Sequence, residues 1–215
     1  MGSKRVTPGR IIHTDEDVAE GAAWLAAQDE RLARALRVTQ PLPLRRKPDG
    51  FAELLSAIVS QQVSTASAQA LWANLQTAGV VTPDAVRART EAELRGLGLS
   101  RQKARYAHAL AAADIDYHSL RRVPDDEVVR TLTAVTGIGV WTAEIYAMFS
   151  LGRADVFAPG DLALREAARL IYDMPARPRE RELRKMAEAW SPWRSVAARL
   201  LFAYYRHAKQ RDGIT

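Results

Sequence analysis

Apolar residues recur along this chain at helical spacing. Phe51, Leu54, Leu55, Ile58 and Val59 fall at i, i+3, i+4, i+7 and i+8, which is one face of an amphipathic helix. After polar residues at 60–64 the apolar face resumes with Ala66, Ala70, Leu71, Trp72 and Leu75. A helix through Val128, Val129, Leu132 and Val135 is followed by an apolar one through Ala143, Ile145, Ala147 and Met148. Another carries Leu162, Leu164, Ala168, Leu170 and Ile171, and two more are predicted over about 178–190 and 192–210, the last with Pro192 at its first position. Earlier starts are marked by capping residues: Thr14 before Asp15-Glu16-Asp17, Thr82 before Pro83, Thr90 with Glu93, and Ser100 before a helix over 101–113. The N-terminal helices would bury Val18, Ala22, Trp24 and Leu25, then Leu32, Ala35 and Leu36. Prolines 41, 43 and 48 break helicity and predict a linker over 40–50, with Arg45-Arg46-Lys47 as a solvated charge run. Residues 1–13 carry turn formers without periodicity and are expected to be poorly ordered. Strand-like alternation never persists. The fold class is all-α.

The two central helices meet at Thr136-Gly137-Ile138-Gly139-Val140-Trp141-Thr142. Two glycines around one aliphatic residue allow a positive φ and bring bare amides to a new helix start, a good seat for a phosphate oxygen. The glycines alone fit equally well a plain helix corner closed by C-caps.

Composition narrows the partner. The 215 residues carry a net charge of +6, with a pI near 9.9, which favours a polyanion such as nucleic acid. With no cysteine there can be no disulfide, thiolate metal site or iron–sulfur cluster. His13, His108, His118 and His207 lack metal-ligand spacing. No apolar run is long enough for a membrane span, and Met1-Gly2-Ser3-Lys4-Arg5 lacks a signal core, so the expected location is cytoplasmic, nucleoid-associated in a bacterium.

Four segments resemble, in order, the helix-hairpin-helix base-excision DNA glycosylases: 58–64 (IVSQQVS), the 136–143 hairpin, 155–161 (DVFAPGD) and 190–198 (WSPWRSVAA). Within that superfamily the chain looks like the compact form of the 3-methyladenine DNA glycosylase II, AlkA-like, branch. The resemblance implies two helical lobes with a cleft between them. One is expected over 51–157, and the other from 1–50 together with 158–215. It also implies a monomer that acts on damaged bases in double-stranded DNA. Where bifunctional relatives carry a lysine nucleophile this chain has Trp141, which implies hydrolysis without lyase chemistry.

Residue roles follow from the same resemblance. Asp161 matches the catalytic aspartate, which stabilises oxocarbenium charge and orients or deprotonates water; an aspartate after Pro159-Gly160 is equally a good N-cap. A cationic methylated purine leaves readily and needs chiefly an aromatic slot. Trp141 matches a slot residue; Tyr146, Trp193 and Trp24 are further candidates, with core packing preferred for Trp24 and Trp193. Gln62 falls at the wedge position of the duplex-plugging loop, beside Gln61. Gly137, Ile138, Gly139 and Thr142 would hold a phosphate, helped by Arg101, Lys103 and Arg105, and carbonyls of Thr133, Val135 and Ile138 would hold structural Na+ or K+. No other cofactor is expected. Asp155 reads as a local hydrogen-bond partner. The rival readings are a non-catalytic DNA-binding module with the same hairpin and a glycosylase for another damaged base.

Overall fold

A computed structural model describes residues 9–211. Among them the structure is helical, with only an isolated antiparallel bridge between Ile11 and Arg153. No helix among the described residues is long and apolar enough to cross a membrane. The described chain forms two units, one of Lys47–Tyr146 and one of residues 9–46 with 147–211.

In the first unit α3 (Phe51–Val59) buries all five apolar residues of its predicted face. After α4 (Thr65–Thr77), α5 (Pro83–Arg87) and α6 (Glu91–Gly96), helix α7 (Arg101–Ala112) packs against α3, α5 and α6. It does so through small residues, Ala104, Ala107 and Ala111, which let the helices approach closely. The predicted caps form: Thr90 with Glu93 makes a reciprocal capping box, and Ser100 accepts from the Lys103 amide at 3.2 Å. Helix α8 (Tyr117–Leu120) leads to α9 (Asp125–Thr133), the hairpin turn and α10 (Val140–Phe149).

The second unit packs α1 (Asp15–Gln28), α2 (Glu30–Thr39), α11 (Leu162–Ile171) and α13 (Arg194–Arg211), with α12 (Glu180–Met186) alongside. A Cβ on Gly21 of α1 would lie 2.6 Å from the Trp193 ring, so only glycine allows this approach.

Several sequence expectations are corrected here. Residues 9–13 are ordered, while 1–8 lie outside the described residues. Ile12 is fully buried, its amide donates to the Gly152 carbonyl (2.7 Å), and the Ala154 amide donates to Arg10 (2.9 Å). Periodicity cannot reveal a pairing with so distant a segment. The same pairing draws 147–157 into the second unit, so the division falls inside α10 rather than at 157. The 40–50 segment is non-helical but not merely a linker: Leu42 is buried and the Leu44 carbonyl accepts from Arg199 Nε (3.0 Å) and Nη2 (2.9 Å). Arg199 is fully enclosed, and burial pushes its pKa down to about 10. The predicted 178–190 helix ends at Met186 and tightens into a 3-10 turn, Ala187–Trp190, which turns Trp190 onto Phe157 (centroids 5.3 Å apart). Pro192 precedes the last helix instead of opening it, since the Trp193 carbonyl accepts the first amides, from Val196 and Ala197.

Candidate active site

The hairpin turn lies wholly in the first unit. Gly137 has φ +100°, and an added Cβ would come within 2.7 Å of Tyr106 Cβ, so both torsion and space demand glycine. Ile138 is buried, and its amide donates to the Val135 carbonyl (3.0 Å). Among the described residues the Gly137 and Gly139 amides donate to no backbone carbonyl, and Gly139 directly precedes α10. Two amides at a helix N-terminus suit an anionic oxygen.

The 60–64 loop is strapped to this turn. Gln61 Nε2 donates to the Gly137 carbonyl at 3.0 Å. At the loop's root the buried Lys103 ammonium donates to the Val59 carbonyl, 2.6 Å away, at the end of α3. Burial pushes the Lys103 pKa down. Between these straps Gln62 is exposed with φ +55°, a left-handed conformation that costs a non-glycine residue about 1 kcal/mol. Ser64 then caps α4.

Asp161 lies in the second unit. Its amide donates to the Ala158 carbonyl (3.1 Å), closing the Pro159-Gly160 turn. Its Oδ1 accepts from the Ala163 (2.8 Å) and Leu164 (3.2 Å) amides, so the carboxylate is fixed as the N-cap of α11. The chain entering that turn is held by Asp155, whose carboxylate takes two bonds from Arg194 (2.7 and 2.9 Å) and one from Ser191 (2.8 Å). Burial opposes the Asp155 charge, yet the Arg194 and Ser191 bonds hold its carboxyl below the usual range. The hydrogen-bonding role expected of Asp155 is what the structure shows.

Within electrostatic reach of Asp161 lies an arginine whose surroundings the sequence pattern does not reveal. Arg45, at φ +51°, places its guanidinium 5.0 Å from the Phe149 ring centre and 4.9 Å from that of Phe202. Burial lowers the Arg45 pKa and repulsion from Arg206 adds to this, while attraction to Asp161 opposes both. Arg45 thus packs its guanidinium on two aromatic rings while lying within electrostatic reach of Asp161 and of Arg206. The sequence signal was weak: the three prolines made the Arg45 segment resemble a solvated linker.

The remaining candidates divide clearly. Trp141, in the first turn of α10, is 46% exposed. Tyr146 is buried; its hydroxyl accepts from the Gly50 amide (2.7 Å), and burial raises its pKa above the ordinary phenol value. Trp193 is buried against α1 under the Arg10 guanidinium, so it packs the core rather than lining an open slot. Thr142 is buried and Lys103 is spent on Val59, so neither presents its side chain to a ligand. Arg101 and Arg105 are exposed on α7. Among the described residues no cluster of His, Cys, Asp and Glu has the makings of a metal site.

The pattern of the HhH-GPD superfamily of base excision DNA repair proteins matches residues 55–192, which include the strapped loop, the hairpin and Asp161. The chain belongs to that superfamily. It is 28% identical over 186 residues to DNA-3-methyladenine glycosylase 1 of Schizosaccharomyces pombe, covering 81% of this chain and 82% of that one. The crystal structure of a DNA-3-methyladenine glycosidase from Bacillus halodurans matches with a TM-score of 0.79 at 30% identity over 94% of each chain. The 3-methyladenine DNA glycosylase of S. pombe, solved in complex with abasic DNA, matches with a TM-score of 0.75 at 25% identity, covering 88% of this chain and 97% of that one.

Proposed function

We propose that this chain is a monofunctional DNA glycosylase of the AlkA-like type that releases alkylated purines, of the 3-methyladenine and 7-methylguanine kind, from double-stranded DNA. The observation that carries the reading is Asp161, a carboxylate fixed by two amides at a helix start and attracted to the Arg45 guanidinium. The names of the similar proteins supply the substrate class.

In this reading the C1′–N bond breaks and the base leaves with the bonding electrons. A methylated purine is already cationic, so it departs neutral and needs no strong acid. Positive charge develops on the sugar, where the Asp161 carboxylate stabilises it. Water then forms the new C1′–O bond and gives up its proton, for which Asp161 is the acceptor. Trp141, partly exposed, stacks on the extruded base. Gln62, held out by its strapped loop, fills the gap left in the duplex. The Gly137 and Gly139 amides hold a phosphate. Carbonyls of Thr133, Val135 and Ile138 would hold a structural Na+ or K+, although the Val135 oxygen already accepts one bond. The enzyme works as a monomer, without another cofactor. Trp141 at the lysine position leaves no amine there for a Schiff base, hence no lyase step.

The test is release of free 3-methyladenine and 7-methylguanine from methylated duplex DNA by wild type and Asp161→Asn in parallel. Release by wild type that collapses in the variant supports the enzyme and its carboxylate. Equal release removes Asp161 from the mechanism. DNA binding without release by either overturns the alkylpurine reading in favour of a binding module or another lesion.

A further inference from the structure

Arg101 and Arg105 are one helical turn apart on α7, on the same face. With Gln102, Tyr106, Ala109 and Thr136 they line a surface cavity of about 710 Å³ in the first unit. Among the described residues no carboxylate lines it, and neither guanidinium has an ion pair. Other arginines of this unit do: Arg87 pairs with Asp84, Arg121 with Asp49 and Arg130 with Asp126. The Tyr106 hydroxyl accepts from Gln102 Nε2 (2.6 Å), which leaves the phenolic proton to donate. Two features join the cavity to the hairpin. Thr136 is the residue before Gly137, and the Tyr106 ring is the surface on which Gly137 rests.

We propose that this cavity is a second anion seat, for a phosphodiester of the strand whose neighbouring phosphate the hairpin amides hold. The inference rests on the DNA reading above. Two positive forks, a phenolic donor and a threonine hydroxyl meet here without a competing anion. This donor set contacts phosphate oxygens without reading bases. The shared Tyr106 wall makes seat and turn a continuous track, which suits a polymer better than a free phosphate ion. Of the three basic residues the sequence groups here, Arg101 and Arg105 both line the cavity. Lys103, between them in sequence, is excluded by its bond to Val59.

The test is the salt dependence of duplex binding, by fluorescence anisotropy, for wild type, Arg101→Gln, Arg105→Gln and the double variant. Arg34→Gln on α2, an exposed site in the other unit, controls for loss of charge alone. Each arginine that neutralises a phosphate should reduce the slope of log K against log salt by about one, so the double variant should lose about two. The loss should be alike for damaged and undamaged duplex, with the thermal midpoint unchanged. An unchanged slope, or an equal loss in Arg34→Gln, overturns the seat while leaving the glycosylase reading intact. Inorganic phosphate that displaces wild type at low millimolar concentration overturns the polymer assignment. If wild type binds no DNA, the parent reading fails first.

Discussion

Helices α10 and α11 both start directly after a glycine-containing turn, and they use that start in opposite ways. Before α10 the chain offers glycine, and among the described residues the Gly137 and Gly139 amides bond to no backbone carbonyl. Before α11 it offers Asp161, whose Oδ1 already takes the Ala163 and Leu164 amides. In the proposed reading the positive helix end takes an external anion in one place, whereas in the other an internal one satisfies it. The first site is therefore a property of the backbone, indifferent to side-chain chemistry but intolerant of side-chain volume. The second is a property of one side chain on a backbone many residues could adopt.

The largest expected effect separates cap from chemistry at α11. In the proposed mechanism Asp161→Asn lowers single-turnover excision by about 10²–10³-fold or more, in the range of losing a fixed electrostatic stabiliser. Its thermal midpoint should stay near the wild-type value, because asparagine caps as well as aspartate. Asp161→Ala should lose the same activity and in addition about 1 kcal/mol of stability by urea unfolding. Full activity in either variant would break the comparison.

At the other helix start volume should matter instead. Gly137→Ala meets both the positive φ and the Tyr106 ring, and should cost about 2–4 kcal/mol in urea unfolding, with loss of duplex binding. Gly139→Ala meets nothing within 4 Å and keeps its amide, so it should bind DNA nearly as wild type does. Equal damage from the two would show that the side-chain-free surface, rather than the amides, matters.

A smaller effect concerns the strap behind the hairpin. Lys103→Met keeps the apolar stem but leaves the Val59 carbonyl without its ammonium donor, at a cost of about 1–3 kcal/mol. With the loop loosened, excision should fall more for a lesion in a perfect duplex than for one opposite a mismatch, where extrusion is easier. An equal fall on both substrates would reduce Lys103 to a stability residue.

What could be read in advance divides along the same line. The apolar face of α3, the Thr90 and Ser100 caps, the hairpin glycines and the Asp161 cap are local patterns, and the structure has them where the sequence predicts. The resemblance puts Gln61 in the duplex-plugging loop and Lys103 among basic phosphate contacts, but their partners, Gly137 and Val59, lie 76 and 44 residues away. Arg45 and Ile12 were misjudged for the same reason. Their roles depend on Phe149, Phe202 and Gly152, which no local period connects to them.

The two carboxylates of the Asp155–Asp161 turn extend the contrast to acid. Asp161 is held by amides, whereas Asp155 is held by a guanidinium, so its bonds weaken once it is protonated. Burial works against the Asp155 charge, but Arg194 and Ser191 outweigh it, and the folded pKa lies below the ordinary one. A depressed folded pKa contributes stability that is present above the unfolded pKa, about 4, and lost as pH falls through the folded value. Asp155→Asn should therefore be less stable than wild type at pH 7 by about 1–3 kcal/mol. The gap should narrow as pH drops from about 4 towards 2, where wild type also loses the charge. Asp17, Glu93, Asp116 and Glu166, whose carboxyls are likewise held low, give both proteins a common acid sensitivity. The difference between the two urea-unfolding profiles therefore isolates the Asp155–Arg194 pair. A gap that stays constant down to pH 2 would show that hydrogen-bond geometry, not ionisation, anchors the turn that presents Asp161.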